Sequence, residues 1–503
     1  EGARIRDRPG GGRLFSRQGG CDGWGMTGLR KRMLFGRPKL VALILVTCLV
    51  TRLFLFVAAR PWVPSNAEEV ILQFDAVGYH SLAVTLVNHG QFALQEGGEP
   101  EALRTPGYPL YIGLFYAVFG EKPWVVLLSQ IVLDGLSCLV LISLLNKALG
   151  SRAALYGGLF YALDPHLILY ANHLLSETLF LFFCVLSFYF FWRAHDEARR
   201  RIPHLVCSAL FLGLTTLVRP VSLFLGSVFS VLVFFLMGEG VVDKLKRAGL
   251  FAAVFALVLS PWVTRNQIVF DRWSLSSSGG YNLLMLQVAP FETERRGLQD
   301  KRVTQELLRS EASTMMREDG IDPATLRPYG FVPSRYYREL AVQYIRTYPG
   351  LFAKHYVSGI VHFFLELDTP DYARYLHIPV TEFYIKGQRS FFALIKNWLC
   401  QKTASEMVLG VGIGLYLMTC YGAAMLGVVT AANGPDRKAF LGCSMVVVLY
   451  FALITGAGGR ARFRLPAIPF YVGFAGIGVT SFKRSVRQWT ERLRRGWDAG
   501  RDD

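Results

Sequence analysis

The sequence predicts an all-α, polytopic membrane protein of about 10–12 transmembrane helices, with interfacial helices and a helical cap on the outer face. Hydrophobic residues make up 52% of the 503 positions, which is too much apolar surface for an ordinary soluble protein. Long apolar runs recur along the chain, and clusters of Lys and Arg lie between them. One arrangement of ten spans places every such cluster on the same side of the membrane.

The chain contains ten apolar runs that meet or approach the roughly 20 residues needed to cross a bilayer. The runs cover residues 40–59, 124–145, 153–171, 174–192, 205–218, 221–238, 248–263, 407–429, 439–455 and 465–482. We expect each run to form one transmembrane helix. The fifth and sixth runs are read as a hairpin that turns at Pro220, because the basic clusters on either side of the pair require an even number of crossings.

Two further apolar stretches, at residues 107–119 and 351–365, are shorter than a span. They reach only about 20 Å at a rise of 1.5 Å per residue, whereas the hydrocarbon core is roughly 30 Å thick. We therefore expect both to form interfacial or half-buried helices. If either one crossed the membrane, every downstream segment would change sides.

The basic clusters predict the orientation of the chain. They are Arg30 to Lys39, Lys147 with Arg152, residues 193–201, Lys244 with Arg247, Arg437 with Lys438, and the tail from Lys483. An excess of Lys and Arg in short loops favours the cytoplasmic side. Both termini are therefore predicted to be cytoplasmic, in a plasma (inner) membrane.

This topology divides the chain into five regions. Residues 1–39 form a basic cytoplasmic N-terminus, whose first 25 positions precede Met26 and are treated as non-native or disordered. Residues 40–263 form a transmembrane module with a first outer loop at 60–122. Residues 264–406 form an outer cap with helix-like stretches at 301–317 and 334–348, residues 407–482 form the C-terminal membrane helices, and residues 483–503 form a basic tail.

The net charge of +17 does not predict a nucleic-acid partner, because the Lys and Arg residues lie where membrane topology requires them. Eight cysteines lie mostly inside the spans and show no CxxC spacing. We predict neither a disulfide nor a zinc site.

Two ionisable residues fall inside predicted spans. Asp134 is near the middle of the second span, and Arg52 is inside the first. Charges at this depth are costly unless they are paired. We predict that Asp134 is a structural partner of another polar group, and that Arg52 finds an acid or extends to the membrane surface.

Several polar residues of the first outer loop could carry chemistry. Asp75 follows the first span at bilayer depth, where partial desolvation could raise its basicity. The alternative is a helix N-cap. Arg104 opens a rigid turn with two prolines and could grip a phosphate through its fork of donors, or could extend to the lipid surface as an interfacial arginine.

A second group of polar residues lies at the predicted outer ends of later spans. Asp164 and Glu177 end adjacent spans, and Arg219 occupies the hairpin turn. Arg265 and Asn266 precede a Gly-rich turn. Three alternating arginines, Arg460, Arg462 and Arg464, oppose the positive-inside trend, so they indicate either a specific phosphate ligand or ordinary anionic lipid headgroups.

The order of the motifs resembles that of the membrane glycosyltransferases of the C superfamily. The chain is most similar to the broad prokaryotic branch beside the protein O-mannosyltransferases and the aminoarabinose transferase that modifies lipid A. The resemblance rests on Phe74-Asp-Ala-Val-Gly-Tyr-His80, Arg104-Thr-Pro-Gly-Tyr-Pro109, Leu175-Ser-Glu-Thr-Leu-Phe180, Val218-Arg-Pro220, Pro261-Trp-Val-Thr-Arg-Asn266 with Gly279-Gly-Tyr-Asn282, and Arg462-Phe-Arg-Leu-Pro-Ala-Ile-Pro469.

This resemblance implies transfer of a sugar from a polyprenyl-phosphate carrier to an unidentified glycan, lipid or protein acceptor on the outer side, usually with inversion. It implies that Asp75 is the catalytic base. Relatives often carry a second acid at the next position, where this chain has Ala76, so a divalent metal is not expected to be obligatory. The expected donor-phosphate ligands are Arg104, Arg265, Arg460, Arg462 and Arg464, and the expected substrate-binding residues are Tyr108, Asp164, Glu177, Arg219, Asn266 and Tyr281.

Two other classes remain open from the sequence. A transporter or flippase of lipid-linked sugars predicts ionisable groups at mid-membrane, where Asp134 is the main candidate. An O-antigen polymerase or ligase also uses outer-face arginines, but it consumes an oligosaccharide on a diphosphate carrier. An experiment that supplies monophosphate and diphosphate donors separately distinguishes this class from the polyprenyl-phosphate-sugar glycosyltransferase.

Overall fold

A computed structural model describes residues 37–379, 402–430 and 435–499. Regular structure within these ranges is helical, apart from one isolated bridge between Ala93 and Pro100. The predicted all-α membrane fold is therefore confirmed. The predictions for residues 1–25, and for the part of the cap at 380–401, lie outside the described residues.

The first half of the described chain contains ten helices. They are α1 (Pro38–Ala59), α2 (Asp75–His89), α3 (Gly107–Phe119), α4 (Pro123–Leu149), α5 (Ser151–Leu163), α6 (Pro165–Tyr170), α7 (Glu177–Asp196), α8 (Arg201–Val218), α9 (Leu223–Leu236) and α10 (Val241–Phe270). Short helical turns at Pro64–Asn66, Ala67–Ile71, Ala198–Arg200 and Pro220–Ser222 join some of them.

The second half contains α11 (Ser278–Asn282), α12 (Ala289–Arg295), α13 (Lys301–Glu318), α14 (Phe331–Thr347), α15 (Pro349–Leu365), α16 (Thr369–Tyr375), α17 (Ala404–Thr430), α18 (Pro435–Thr455), α19 (Ala461–Arg464) and α20 (Ile468–Ala499). Short turns cover Leu283–Val288, Pro323–Thr325, Gly456–Gly458 and Leu465–Ala467. The helices α13 and α14 confirm the two helix-like stretches predicted in the cap.

Eight helices in the described ranges are long and apolar enough to cross a membrane: α1, α4, α7, α8, α10, α17, α18 and α20. The segment Pro64–Ile71 and α2 would make a ninth only if they formed one span, but they are bent by 120°. We treat α2 as lying outside the spans. Two of the ten predicted spans form shorter helices instead, α5 and α9, so the predicted count exceeds the number of full-length apolar helices.

The predicted span at 153–171 is interrupted at Asp164. Its backbone is extended, and its carboxylate accepts hydrogen bonds from the backbone N–H groups of His166 (2.9 Å) and Leu167 (3.1 Å), which caps α6. The following Pro165 disfavours helical backbone at Asp164, so α5 ends one residue earlier. Asp164 thus ends one helix and starts the next.

The helix α10 is longer than the predicted span at 248–263. It runs through Pro261 and ends at Phe270, and the next residue, Asp271, has a left-handed φ of 54°. Arg265 and Asn266 therefore lie within the helix and not in the loop that follows it. The prediction placed the helix end too early because the polar residues after Pro261 resembled a loop.

The charged clusters lie at opposite ends of the same helices. At one end, Lys147 of α4 lies 2.9 Å from Asp196 and 2.6 Å from Glu197, at the C-terminus of α7. At the other end, α7 begins at Glu177. The 20 residues of α7 separate these two ends by about 30 Å, the thickness of a bilayer core.

The prediction that Asp134 is a structural partner of another polar group is confirmed, and that group is Arg52, which finds an acid and does not extend to the membrane surface. Arg52 Nε lies 2.8 Å from Asp134 Oδ2, and both side chains are buried. Tyr161 donates a hydrogen bond to the other carboxylate oxygen of Asp134 at 2.7 Å. Arg52 also donates to the carbonyl of Ala162. This network satisfies a pair of charges that would otherwise be costly at this depth.

The cap has its own hydrophobic core, separate from the core of the helix bundle. Its buried members include Leu284, Phe291, Leu308 and Tyr336, which come from the helical segments between α11 and α14. This part of the chain can therefore hold its own shape over the membrane helices.

Candidate active site

The centre of the candidate site is an ion pair between residues far apart in the sequence. Arg462 Nη1 donates to Asp75 Oδ2 at 2.8 Å across 387 sequence positions. Asp75 is the first residue of α2 and follows Phe74, whose φ of 50° turns the chain sharply into the helix. Arg462 lies on α19, the four-residue helix between α18 and α20. The Asp75 side chain is 49% exposed, so it remains accessible to a ligand.

Glu177 connects a second arginine to this pair. Its Oε1 accepts hydrogen bonds from Arg462 Nε and from Arg219 Nη1. The Glu177 side chain is 3% exposed, and its other oxygen has no hydrogen-bond partner among the described residues. A buried carboxylate between two guanidinium groups fixes both of them, because removal of either would leave charge unbalanced in a poorly solvated place.

Arg104 brings a third guanidinium to the same place. Its Nη2 lies 3.9 Å from Asp75 Oδ1, and its Cζ lies 5.3 Å from the centre of the Tyr79 ring. The backbone of Gly78 makes this approach possible, since a Cβ at that position would lie 2.5 Å from Arg104 Cζ. The glycine of the Phe74–His80 motif therefore has a steric role.

Five predicted residues are thus brought together: Asp75, Arg104, Glu177, Arg219 and Arg462. We call them the charge cluster. Three guanidinium groups and two carboxylates leave one positive charge unbalanced. The cluster can accept a singly charged anion without building up excess charge of either sign.

The electrostatic state of Asp75 differs from the expectation. Burial acts to raise the pKa of its carboxyl, but Arg462, with help from Arg104 and Arg219, more than offsets that effect and holds the pKa below its usual value. The expected rise in basicity is therefore wrong for Asp75 while it is paired with Arg462. Asp75 is an ionised carboxylate that Arg462 holds in place.

Other predicted arginines lie outside the charge cluster. The guanidinium of Arg464 is fully buried and donates to the backbone carbonyls of Phe363 (3.0 Å) and Glu366 (3.2 Å). Because Arg464 donates to these backbone carbonyls, it holds the C-terminal end of α15 against α19 and does not face a ligand. Arg460 is exposed.

Arg265 and Asn266 have structural contacts in the described protein. Arg265 Cζ lies 4.7 Å from the Trp262 ring centre and 5.0 Å from that of Phe270, and Arg265 Nη1 donates to the carbonyl of Glu101 at 2.9 Å. Asn266 donates to the carbonyl of Ser274 at 2.7 Å. These contacts fix the chain where α10 leaves the bundle.

The remaining predicted substrate-binding residues lie beside the charge cluster or further away. Tyr108 is buried, packs edge-on against Tyr79, and donates to Gln130 Oε1 at 2.6 Å. Tyr281 packs against Tyr329 in the cap. Asp164 caps α6 as described above. Among the described residues, no hydrogen bond or ion pair joins any of these three to the charge cluster.

The sequence interpretation missed two residues near the cluster. Tyr79 supplies the ring beneath Arg104, and its place inside the quoted Phe74–His80 motif could have indicated this role. Asp368 accepts a hydrogen bond from Tyr170 at 3.0 Å. Burial, together with Glu366 and Asp371 nearby, raises the pKa of Asp368 to about 7. No pattern around residue 368 distinguishes it in the sequence.

In the parts of the chain that the structure describes, no group of three or more His, Cys, Asp or Glu side chains is arranged to hold a metal ion. Ala76, which follows Asp75, is buried and offers no ligand. The expectation that a metal is not obligatory stays a prediction.

Comparison with known proteins agrees with the motifs. Residues 103–264 match the family model described as dolichyl-phosphate-mannose-protein mannosyltransferase. No curated protein sequence matches the chain significantly.

Among solved structures, the archaeal oligosaccharyltransferase AglB from Archaeoglobus fulgidus, in complex with an inhibitory peptide and a dolichol phosphate, is similar with a TM-score of 0.50 at 11% identity. The match covers 91% of this chain and 52% of AglB, so the chain spans about half the length of that protein. ArnT from Cupriavidus metallidurans matches with a TM-score of 0.38 at 13% identity, over 87% of this chain and 77% of ArnT. The family match over residues 103–264 agrees with the predicted resemblance to the protein O-mannosyltransferases, and the AglB match shows a similar fold.

Proposed function

We propose that this protein transfers a sugar from a polyprenyl-phosphate carrier to an acceptor on the extracytoplasmic side of the plasma (inner) membrane. Asp75 is the general base, and Arg104, Arg219 and Arg462 hold the lipid phosphate. The observation that carries the proposal is the charge cluster itself. Five separate segments of the chain bring two carboxylates and three arginines together at one end of a membrane helix bundle.

The net charge of the cluster matches this donor. A polyprenyl-phosphate sugar is a phosphodiester with one negative charge, and the cluster has one unbalanced positive charge. As the bond between the sugar C1 and the phosphate oxygen breaks, the leaving phosphate gains a second charge. Guanidinium groups already fixed in place stabilise that developing charge without reorganisation.

Asp75 acts on the other partner of the reaction. The acceptor hydroxyl attacks C1 as its proton passes to the Asp75 carboxylate, and a new bond forms between C1 and the acceptor oxygen. Attack on the face opposite to the leaving phosphate inverts the configuration at C1. The products are the glycosylated acceptor, the polyprenyl phosphate and a protonated Asp75, which releases its proton to solvent.

The ion pair between Asp75 and Arg462 links donor binding to base strength. While the two side chains are paired, this arginine lowers the pKa of Asp75. A donor phosphate competes with Asp75 for the same guanidinium. Once Arg462 turns to the phosphate, the pKa of Asp75 rises, so Asp75 becomes a stronger base when the donor is in place.

The distribution of basic residues supports an outer location for the site. Lys147 and the C-terminal end of α7 lie at one end of the bundle, and the charge cluster contains Glu177 at the other end of α7. Short-loop Lys and Arg residues favour the cytoplasmic side. The cluster then faces outward, with both termini inside.

A similar fold supports a lipid phosphate as the ligand class. AglB, which resembles this chain over about half of its own length, has been described with a dolichol phosphate. The carrier of the present protein is proposed to be of the same chemical kind, a long isoprenoid phosphate whose tail lies among the membrane helices.

The rival transporter class finds less support. It requires ionisable groups at mid-membrane that can change partners. Asp134 was the main candidate, but it is held by Arg52 and Tyr161 in a buried and satisfied network. Such a network is better suited to a fixed structural role than to a substrate path.

The test uses the full chain reconstituted in nanodiscs with a radiolabelled polyprenyl-phosphate sugar and membrane extract as the acceptor source. The wild-type protein is expected to move label from the donor, and Asp75→Asn is expected to bind the donor and transfer nothing. Glu96→Gln, an exposed acid of the same outer loop, is the control and should transfer like wild type. Full transfer by Asp75→Asn contradicts the assignment of Asp75.

A further inference from the structure

Two cations near the charge cluster lack acidic partners. Arg460 is exposed and Lys301 is partly buried. Neither has a carboxylate within the 4.0 Å of an ion pair in the described part of the chain, although most charges around the cluster are paired. Both residues are therefore free to bind an anion.

A chain of hydrogen bonds ties the first turns of α13 to the turn that precedes Arg460. Gln305, one helical turn after Lys301, donates to the carbonyl of Met285 at 3.0 Å. Gln287 then donates to the carbonyl of Thr455 at 2.6 Å and accepts from the backbone N–H of Ala457 at 2.8 Å. The helix α13 and the turn at Gly456–Gly458 are therefore held on either side of residues 285–287.

The two cations also influence each other. Burial and the nearby positive charge of Arg460 lower the pKa of Lys301 to about 8, from an ordinary value of 10.5. Two like charges brought together without a counter-ion destabilise each other, and an anion bound between them would remove that cost. By contrast, Arg462, two residues further on, is occupied by Asp75 and Glu177.

We propose that Lys301 and Arg460 form a second anion site, which binds a phosphate group between the cap and the helix bundle. The proposal rests on the proposed function and adds to it, because this site is distinct from the charge cluster that holds the carrier phosphate. The second phosphate has two possible sources. It belongs either to the acceptor, which fits the proposed monophosphate donor, or to a diphosphate carrier, which would place the protein in the polymerase or ligase class.

The test measures binding to the full chain in nanodiscs with three probes: a polyprenyl monophosphate, a polyprenyl diphosphate, and inorganic phosphate added to protein already saturated with the monophosphate. The variant is the double substitution Lys301→Gln with Arg460→Gln. Arg302→Gln is the matched control, because Arg302 is an exposed cation at the next position of the same helix. Thermal unfolding of each variant confirms that it is folded.

If the second phosphate belongs to the carrier, wild type and Arg302→Gln bind the diphosphate at least tenfold more tightly than the monophosphate, and the double variant loses that preference. If the second phosphate belongs to the acceptor, the polyprenyl monophosphate and diphosphate bind with equal affinity. Inorganic phosphate then binds to wild-type protein saturated with the monophosphate, but not to the double variant saturated in the same way. A double variant that binds all three probes as wild type does overturns the second site.

A failure of the proposed function gives a different result. In that case wild-type protein binds neither lipid through Arg462, and Arg462→Ala changes nothing. Inorganic phosphate binding to the unloaded protein, compared between wild type and the double variant, still decides whether Lys301 and Arg460 form an anion site.

Discussion

The guanidinium of Arg462 lies 2.8 Å from the carboxylate of Asp75, although 387 residues separate them in the sequence. The same guanidinium also donates to Glu177. One side chain therefore joins the first outer loop, the start of α7 and the turn before the last helix. Any ligand that engages Arg462 is coupled to the protonation of Asp75 and to the position of Glu177.

Substitution of Arg462 is expected to weaken binding of the lipid phosphate. Arg462→Ala removes a charged donor from the cluster, at a cost on the order of 2 kcal/mol, or about thirtyfold in affinity. Arg462→Lys keeps the charge but loses the planar fork of donors, so its affinity for the lipid phosphate should lie between those of wild type and Arg462→Ala. The measurement is binding of a polyprenyl monophosphate in nanodiscs. Equal affinity in all three proteins would count against Arg462 as a phosphate ligand.

Substitution of Gly78 is expected to act through Arg104. In Gly78→Ala the new Cβ would lie 2.5 Å from Arg104 Cζ, so the flexible guanidinium has to move away from Asp75. We expect several-fold weaker donor binding with an unchanged melting temperature, because the end of a long side chain moves at little cost. Gly249→Ala, whose Cβ meets no atom within 4 Å, is the control. If both variants bind donor equally well, Arg104 has no part in holding it.

The affinity of the second anion site should fall as the pH rises. The pKa of Lys301 is lowered to about 8, so Lys301 loses its positive charge between pH 7 and pH 9. Binding of inorganic phosphate to monophosphate-loaded protein should weaken by up to about tenfold over that range. Lys301→Arg stays charged throughout and should show little loss. A wild-type profile identical to that of Lys301→Arg would exclude the titration of Lys301 as the cause.

Loss of the intramembrane ion pair should destabilise the fold without changing the site. Arg52→Met leaves the Asp134 carboxylate buried without its cation, at a cost of about 3–5 kcal/mol. The double substitution Arg52→Met with Asp134→Leu removes both charges and should recover much of that stability. Thermal unfolding in detergent measures the effect. Equal stability of the single and the double variant would show that the pair does not act as a unit.

The sequence predicted the residues of the site better than their contacts. Asp75 stood out as an acid just beyond the first span, Glu177 as an acid at the end of a span, and Arg462 as one of three arginines that oppose the positive-inside trend. Their convergence depends on how α7 and α19 pack, which no local pattern encodes. A polar partner for Asp134 was predicted because an unpaired charge at this depth is costly, but the identity of that partner, Arg52, came only from the structure.

Alternating arginines show where sequence interpretation fails. Arg460, Arg462 and Arg464 look equivalent in the sequence, yet one is exposed, one is bound to two carboxylates, and one is buried against backbone carbonyls. Arg460 lies in extended backbone just before α19, whereas Arg462 and Arg464 lie within this four-residue helix and have different partners. Likewise, the break at Asp164 follows from a cap and a proline, but the long apolar run around it concealed both.

The most direct test of the central claim is a structure of the full chain bound to a non-hydrolysable polyprenyl-phosphate sugar. The account predicts that the phosphate lies within hydrogen-bond distance of Arg462, with the sugar C1 between that phosphate and Asp75. A phosphate bound at the Lys147 end of the bundle, or at Arg265 with Asp75 and Arg462 still paired, would contradict it.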